Sequence, residues 1–422
     1  LLGFGVVVLL ALVLLHAYVW FRLVRSTTRP GRVRRRLTVL VAVLAVLPAA
    51  AVLLRRTLPL DVAAPLDWVA YTWLGTVFYL FLSLLALEPV RWVARGVGRR
   101  AARRSGPAAV PTGPSDAVEP GGPGEPEESP PGEDGGLPRR LLLARTLAVT
   151  AGVVGVATAG TGLVLANSSP VVRRVPITLP RLDPALDGLR IVTFSDGHLS
   201  ATYGGRRFER LVETVNAQRP DVVAIVGDLV DGEVEELRGD AAPLADLVSE
   251  QGVFFVTGNH EYFVDTAAWL RHLPTLGVEV LRNERVALRR GGATVDLAGI
   301  DDRTAADSGL AGHGADLDAA LDGRDDGVPV VLLAHQPVQV EQARAAGVDL
   351  QLSGHTHGGQ LWPFDYAIRL DQPAVEGLSR HGDTQLYVTS GAGYWGPPMR
   401  IGARPEVTVV ELRSPGAGSP GT

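Results

Sequence analysis

Cysteine and lysine are absent from the 422 residues, and methionine occurs once, at Met399. The lack of cysteine excludes disulfides and thiol chemistry but does not identify a compartment. Every basic residue is therefore arginine, which we attribute to genomic base composition rather than to function. Repeats of solenoid length are also missing. Excess positive charge is missing from the C-terminal part. From Pro170 on, 22 Arg face 35 acidic residues, a net of −13, whereas the chain through Ser169 holds 18 Arg against 10 acidic residues, a net of +8. An acidic domain is a poor partner for a polyanion that is bound by neutralising its phosphates, so nucleic acid is not expected as a partner. The chain opens on Leu1 rather than Met, as a trimmed piece of a longer polypeptide would.

Charge is also scarce in long stretches of the first 169 residues. Residues 2–24, 37–54 and 68–87 are long and apolar enough for membrane helices. A fourth stretch, 141–166, is weaker, being rich in Ala, Gly, Val and Thr with Arg145 near its start. Buried helices of a soluble protein could mimic one of these, and 37–54, short and holding Pro48, is the least secure; all of them together point to a multi-pass region. Six arginines (Arg25, Arg29, Arg32, Arg34, Arg35, Arg36) lie between the first two stretches, and six more (Arg91, Arg95, Arg99, Arg100, Arg103, Arg104) follow the third. Positive loops stay inside, which puts 90–140 in the cytoplasm and everything after the fourth helix on the extracytoplasmic side of the cytoplasmic membrane. Intramembrane charge is limited to Arg22 and Arg145 near helix ends, so anchoring is a simpler account of these helices than transport.

The expected organisation is a membrane region with three helices over 1–104 and a disordered Pro/Gly/acidic linker over 105–138. Residues 139–169 form a fourth membrane helix or, through Arg139-Arg140, a twin-arginine-like signal anchor. A catalytic domain over 170–412 and a flexible tail over 413–422 follow.

What is present in the catalytic part is a series of five short polar motifs, each following an apolar run rich in β-branched residues: Asp196 and His198 in SDGH, Asp228 and Asp231 in GDLVD, Asn259 to Glu261 in GNHE, His335 in AHQP, and His355 and His357 in GHTH. Such runs read as buried strands that deliver a polar cluster at each carboxyl end. Taken singly, DGH, GD and GN are ordinary turn sequences. Together they supply carboxylates, an amide and imidazoles in the mixture that two divalent ions about 3.5–4 Å apart require. Oxygen mixed with imidazole suits Mn, Fe, Zn or Co better than Ca. The remaining histidines, His16, His272, His313 and His381, read as structural or surface residues. Strand runs alternate with helical stretches at 206–218, 237–250, 267–273 and 338–346. Strand pairs are expected in VEVLRNERVALRR, ATVDLAGIDD, and QLYVTS with EVTVVEL. The fold class is therefore α/β and layered, with a loop-rich 301–327 segment placed to overhang the site.

These motifs resemble the signature of the calcineurin-like metallophosphoesterase superfamily: D-x-H, GD-x-x-D, GNH-D/E, a lone His and GH-x-H. GHTHGGQ and the tail from Leu386 to Leu412 look most like its membrane-attached bacterial branch, with UDP-diacylglucosamine pyrophosphohydrolase-like and exported cell-envelope members. The resemblance covers about 176–412. It implies a four-layer α/β/β/α sandwich in which Asp196, His198 and His357 bind one metal, Asn259, His335 and His355 a second, and Asp228 bridges. It further implies a hydroxide between the ions attacking phosphorus in line, with His260 protonating the leaving oxygen or holding a phosphoryl oxygen and Asp231 orienting His260. The alternative for Asp231 is a cap on the helix after GDLVD. Arg400 is a candidate phosphate grip or a paired structural arginine.

The expected function is a membrane-tethered, extracytoplasmic, binuclear metal-dependent phosphohydrolase acting on a phosphomonoester, phosphodiester or pyrophosphate, with no obligate protein partner indicated. Tethering makes a lipid-linked phosphate a candidate substrate, which Trp362, Phe364, Tyr394, Trp395 and Met399 could contact; core packing is the alternative for these residues. The competing class is a catalytically silent membrane sensor or ligand-binding protein on the same fold.

Overall fold

The structure, a computed structural model, describes residues 2–55, 57–104 and 139–416. The linker expected at 105–138 and most of the tail lie outside these residues, although Arg413 is still part of the last strand. Four helices among the described residues are long and apolar enough to cross a membrane, with spans at Gly5–Arg25, Arg32–Leu54, Leu60–Val97 and Arg140–Ala166. They correspond to the four apolar stretches of the sequence, and the Leu37–Leu54 stretch forms a helix despite Pro48.

The chain divides into two compact units. The first holds Leu1–Ala45 and Thr76–Ala157. Within it α1 (Leu2–Trp20), continued by a π-helical turn through Arg25, and α4 (Glu88–Arg104) share a charge cluster. Glu88 accepts from Arg22 at 2.6 Å, from Arg91 at 2.7 Å and from the Tyr18 hydroxyl at 2.7 Å, so Arg22 is paired rather than exposed to lipid.

The second unit holds Val46–Gly75 and Thr158–Thr422. It therefore contains the second half of α2 (Arg32–Leu54), the first half of α3 (Leu60–Ala86) and the last turns of α5 (Arg139–Ala166) together with the whole α/β domain. One sheet runs β1 (Val171–Thr178), β12 (Glu406–Arg413), β2 (Arg190–Phe194), β3 (Val222–Val226), β4 (Val253–Val256), β5 (Val278–Val280). The other runs β10 (Gly377–His381), β11 (Thr384–Val388), β9 (Leu350–Ser353), β8 (Val330–Leu333), β7 (Ala293–Gly299), β6 (Glu284–Arg290). β2, β3, β4 and β5 are mutually parallel, as are β7, β8, β9 and β11.

Alternation along the strands explains the layers. Val222, Ala224 and Val226 face Leu297, Val331, Leu333 and Leu352 across the inter-sheet core. Val223, Ile225 and Phe255 point the other way, toward Phe208 and Leu211 of α6 (Arg206–Asn216), Leu237 of α7 (Val234–Ala241) and Trp269 of α8 (Thr266–His272). On the far face of the second sheet, Ala298, Val330 and Leu332 pack under α9 (Leu317–Leu321) and α10 (Val340–Ala345). The domain is thus the expected α/β/β/α sandwich.

Two local expectations need correction. The helix read at 237–250 starts earlier, at Val234, and gives way at Ala242 to a 3₁₀ turn that carries Pro243, because proline cannot donate into a helical ladder. The run VEVLRNERVALRR does not form a pair, since β5 joins one sheet and β6 the other, where β6 pairs with β7. QLYVTS and EVTVVEL likewise lie in different sheets. Period-two alternation sets which way side chains point but carries no information about partners.

Candidate metal centre

Each of the five motifs begins at the carboxyl end of a parallel strand: Asp196 and His198 after β2, Asp228 after β3, Asn259 and His260 after β4, His335 after β8, His355 and His357 after β9. The two sheets therefore bring their loops together at one edge of the sandwich, where open α/β sheets place ligands. The turns are tight. Asp196, His198, Asp228, His355 and His357 all have positive φ, between 46° and 71°. Non-glycine residues adopt that region at a cost on the order of 1–3 kcal/mol each, and the surrounding structure has to hold them there. Gly258 fits only because it lacks a side chain, since a Cβ would collide with the Asp228 carboxylate.

Three donor groups result, one of which, His198, Asp231 and His260, shares His198 with the first of two clusters that together hold six of the seven expected ligands. Asp196, His198 and His357 form the first, all buried. His357 Nε2 lies 3.0 Å from His198 Nε2 and 3.3 Å from Asp196 Oδ1. Atoms spaced in this way can share one ion with bonds of about 2.0–2.2 Å. His198 Nδ1 donates to Asp231 Oδ1 at 3.0 Å, which leaves Nε2 as the ring nitrogen aimed into the cluster. Asp228, His335 and His355 form the second cluster. Here Nδ1 of His335 donates to the Val226 carbonyl at 2.7 Å, and its Nε2 is 3.1 Å from Asp228 Oδ2. The same Asp228 Oδ2 is 3.9 Å from His198 Nε2 in the first cluster, so one carboxylate oxygen stands between the two. The other, Oδ1, accepts from the main-chain N–H of His260 at 2.8 Å. Asn259 Oδ1 is buried without a hydrogen-bond partner. A buried amide oxygen left unpaired is costly, and beside this donor set it fits a seventh ligand. All seven residues expected as ligands are at one place, and their mixture of carboxylate, amide and imidazole fits two divalent ions.

At two of the rings electrostatics support this, whereas at His335, where burial opposes a charge, the Asp228 carboxylate holds the pKa well above the usual histidine range. Burial, then the positive charge on His335, pushes the His355 ring down to about 3, and burial with His198 and Arg400 holds His357 well below the usual histidine range. Both rings are neutral at physiological pH, the state in which imidazole binds a metal. Burial opposes a charge on His260, but Asp228 and Asp231 outweigh it and raise its pKa to about 9. Burial also opposes ionisation of Asp231, yet His198 and His260 hold its carboxyl well below the usual carboxylate range. Asp231 Oδ1 accepts from His260 Nδ1 at 2.6 Å as well as from His198, joining His260 to the first candidate cluster through His198. It does not cap the following helix, whose N-cap is Glu233.

Arg400, a candidate phosphate grip, is fully buried. Its guanidinium donates to the carbonyls of His357, Ser390, Gly391 and Gly393 and lies against His357 Nδ1. No edge is left for a phosphate; Arg400 instead holds together the backbone behind the first cluster. Tyr394 and Met399 are buried too, with the Tyr394 hydroxyl donating to the Thr202 carbonyl, whereas Trp362, Phe364 and Trp395 are exposed. Phe263 and Trp395 flank the His260 ring at centroid distances of 5.1 and 5.6 Å.

Glu261 is a residue whose part the motif reading missed. Its buried carboxylate accepts from the N–H groups of Asp228, Leu229, Val230 and Gly258, at 2.6–3.3 Å, and so clamps the GDLVD loop to the GNHE loop. Burial and the neighbouring Asp228 push its carboxyl up to about 7, against the pull of these donors. The only signal in the sequence was an acid directly after GNH, since its partners are backbone groups 31 to 33 residues away for three of the four contacts.

A calcineurin-like phosphoesterase family model matches residues 189–359. An uncharacterized metallophosphoesterase of Aquifex aeolicus is 34% identical over 230 residues, covering 54% of this chain and 86% of that protein. The chain belongs to the calcineurin-like phosphoesterase family. This metallophosphoesterase is also 43% identical over 259 residues to a transmembrane protein with metallophosphoesterase domain of Danio rerio, covering 60% of this chain and 59% of that one. It is 41% identical over 286 residues to the Bos taurus protein of the same description, covering 65% and 64%. The match thus spans less than two thirds of the length of these two relatives.

Proposed function

We propose that this metallophosphoesterase hydrolyses a phosphomonoester, phosphodiester or pyrophosphate at an extracytoplasmic membrane surface, with Asp196, His198 and His357 holding one divalent ion, Asn259, His335 and His355 a second, and Asp228 bridging. The observation that carries the reading is the pair of donor clusters, the first buried and the second buried but for His355, with Asp228 Oδ2 between them. Mn, Fe, Zn or Co bound there would supply Lewis acidity at the phosphoryl oxygens and an activated water. His260 is the proton donor. Its Nδ1 is committed to Asp231, which orients the ring, and Nε2 carries the proton offered to the leaving oxygen. The seven-donor set with its acid favours an enzyme over a silent sensor, which would have no need of His260 with a raised pKa. The arginine-rich loops before α2 and after α3 support the extracytoplasmic side. The pyrophosphohydrolase-like branch is one of the substrate readings and rests on the sequence of GHTHGGQ and the tail alone.

The test is hydrolysis of bis(p-nitrophenyl) phosphate and p-nitrophenyl phosphate by the full chain, metal-stripped and then refilled with Mn or Zn, beside Asp228→Asn. Metal-dependent turnover that vanishes in the variant is expected, and the preferred ester separates diesterase from monoesterase. Full metal occupancy without turnover on either ester would refute the reading.

A further inference from the structure

The segment from Trp362 to Leu370, immediately after the GHTHGGQ ligand loop, exposes Trp362, Phe364, Tyr366 and Leu370, the last at 89%. A soluble surface rarely displays so many large apolar groups side by side. Its surroundings within the catalytic unit indicate what covers it. Trp362 N–H donates to the Ile401 carbonyl, and the Met399–Ile401 stretch lies directly against two membrane helices. A Cβ on Gly162 of α5 would stand 3.1 Å from Met399 Cβ and 3.2 Å from Ile401 Cγ1, and the Arg400 N–H donates to the Gly162 carbonyl. A Cβ on Gly75 of α3 would stand 2.5 Å from Met399 Sδ. Gly162 precedes the end of its span by four residues and Gly75 lies seven residues inside the apolar stretch 68–87, about 6 Å and about 10 Å along the helix axes. Met399 therefore sits at the level of apolar helix, not above it.

The reacting centre lies close to the same level. Arg55, the first residue after α2, donates to the Asp231 carbonyl at 2.7 Å. Trp395, exposed and four residues before Met399, stands against His260. An aromatic rim and an arginine at a helix end are what the headgroup level of a bilayer holds.

We infer that Trp362–Leu370 and Trp395 are immersed in the leaflet in which the catalytic unit sits, and that the metal centre opens at headgroup level to take its phosphoester from a membrane-embedded amphiphile. The substrate class is a lipid-linked phosphate whose chain stays in the leaflet while its phosphate reaches Asp228 and His260. This rests on the phosphoesterase reading above.

The test uses the full chain, metal-loaded, in phosphatidylcholine nanodiscs. Substrates are matched pairs that differ only in the length of the alkyl chain, which is retained on the phosphate in the first pair and leaves as the alcohol in the second: p-nitrophenyl hexadecyl phosphate against p-nitrophenyl methyl phosphate, and hexadecyl phosphate against methyl phosphate. On whichever pair is turned over, kcat/KM is expected to favour the long chain by tenfold or more, on the order of what burying a few methylenes supplies. Phe364→Ser/Tyr366→Ser/Leu370→Ser should lose most of that preference while hydrolysing the methyl ester as before, and Leu370→Glu alone should lose part of it. Independently of activity, p-benzoylphenylalanine at position 366 or 370 should crosslink to nanodisc lipid on irradiation, and at exposed position 248 it should not. Equal rates on the two chain lengths, or no crosslink at 366 and 370, would overturn the inference while leaving the phosphoesterase reading intact. Metal-bound protein that hydrolyses neither pair would sink both.

Discussion

His198 and His335 stand in matching positions of the two candidate metal clusters, yet they are held differently. His198 donates through Nδ1 to a carboxylate, Asp231, whereas His335 donates through Nδ1 to a main-chain carbonyl, that of Val226. A carboxylate raises the basicity of the ring and can be shared, and Asp231 is shared, with His260. A carbonyl fixes the tautomer and goes no further. One half of the centre is thus wired to His260, the proton donor of the proposed function, and the other is fixed to the β-sheet. Asp228 belongs to both halves, and Glu261 holds its loop from behind.

The strongest break of the comparison is Asp228→Asn, which removes the charge common to the two halves. It should lower bound metal in both and cut activity by on the order of 10³-fold or more, the scale on which preorganised charge acts in catalysis. Metal analysis that shows one ion retained at full affinity would assign the bridge elsewhere.

Next comes His260→Gln. It removes the proton donor and no ligand, so metal content should stay at the parent level while kcat falls about 10²–10⁴-fold. The pH dependence follows from the raised pKa. Below about 9 the imidazole holds its proton, and above it the proton is lost, so kcat should decline as pH rises through about 9. In the Gln variant that alkaline limb should flatten. A limb unchanged by the substitution would give the titration to another group.

Much of this arrangement was legible in the sequence, because strand-end motifs are local. Seven donors and His260 could be named from five motifs, and the layered α/β class from the alternation of apolar runs. What was hidden depends on distant partners. Glu261 works through backbone N–H groups of another loop, and no side-chain pattern marks those. Arg400 looked available to phosphate because guanidinium suits phosphate, but six contacts with backbone and ring atoms behind the first cluster consume it. That β5 and β6 fall in different sheets was invisible for the same reason. Helix ends of the membrane region showed only length and hydropathy, with nothing to say that 46–75 fold with the catalytic domain.

Asp231→Asn separates the two halves more finely. It keeps the shape but weakens the partner of His198, so metal affinity should fall about 10–100-fold in the first position and stay near the parent value in the second. The depressed Asp231 carboxyl also contributes stability above its unfolded pKa, and that contribution is lost as pH falls through the folded value. Acid unfolding of the metal-free variant should accordingly lose part of its steepness. Equal weakening of both positions, measured by titration with Mn or Zn, would mean that the halves are not independently held. Glu261→Gln acts on the Asp228 loop that both halves share. Replacing an acceptor of four N–H groups by an amide that must point a donor at some of them should cost about 1.5–3 kcal/mol of stability, seen as a lower Tm, with a smaller effect on kcat than His260→Gln.

The smallest expected effect is at Arg55, where the membrane region reaches the wired half. Arg55 Nη2 donates to the main-chain carbonyl of Asp231, not to its carboxylate, and the Arg55 side chain also hydrogen-bonds Tyr71. Losing one such hydrogen bond is worth about 0.5–1.5 kcal/mol, so Arg55→Met in the full chain should lower kcat by a few-fold, with metal content and the alkaline limb both retained. The contrast with Asp231→Asn is the useful part. If Arg55 acts by steadying the Asp231 loop, the double variant Arg55→Met/Asp231→Asn should show less than the product of the two single effects, because the loop has already lost the contact that Arg55 steadies. A fully multiplicative double variant would mean that Arg55 attaches the domain to the end of α2 and has no part in orienting His198 and His260.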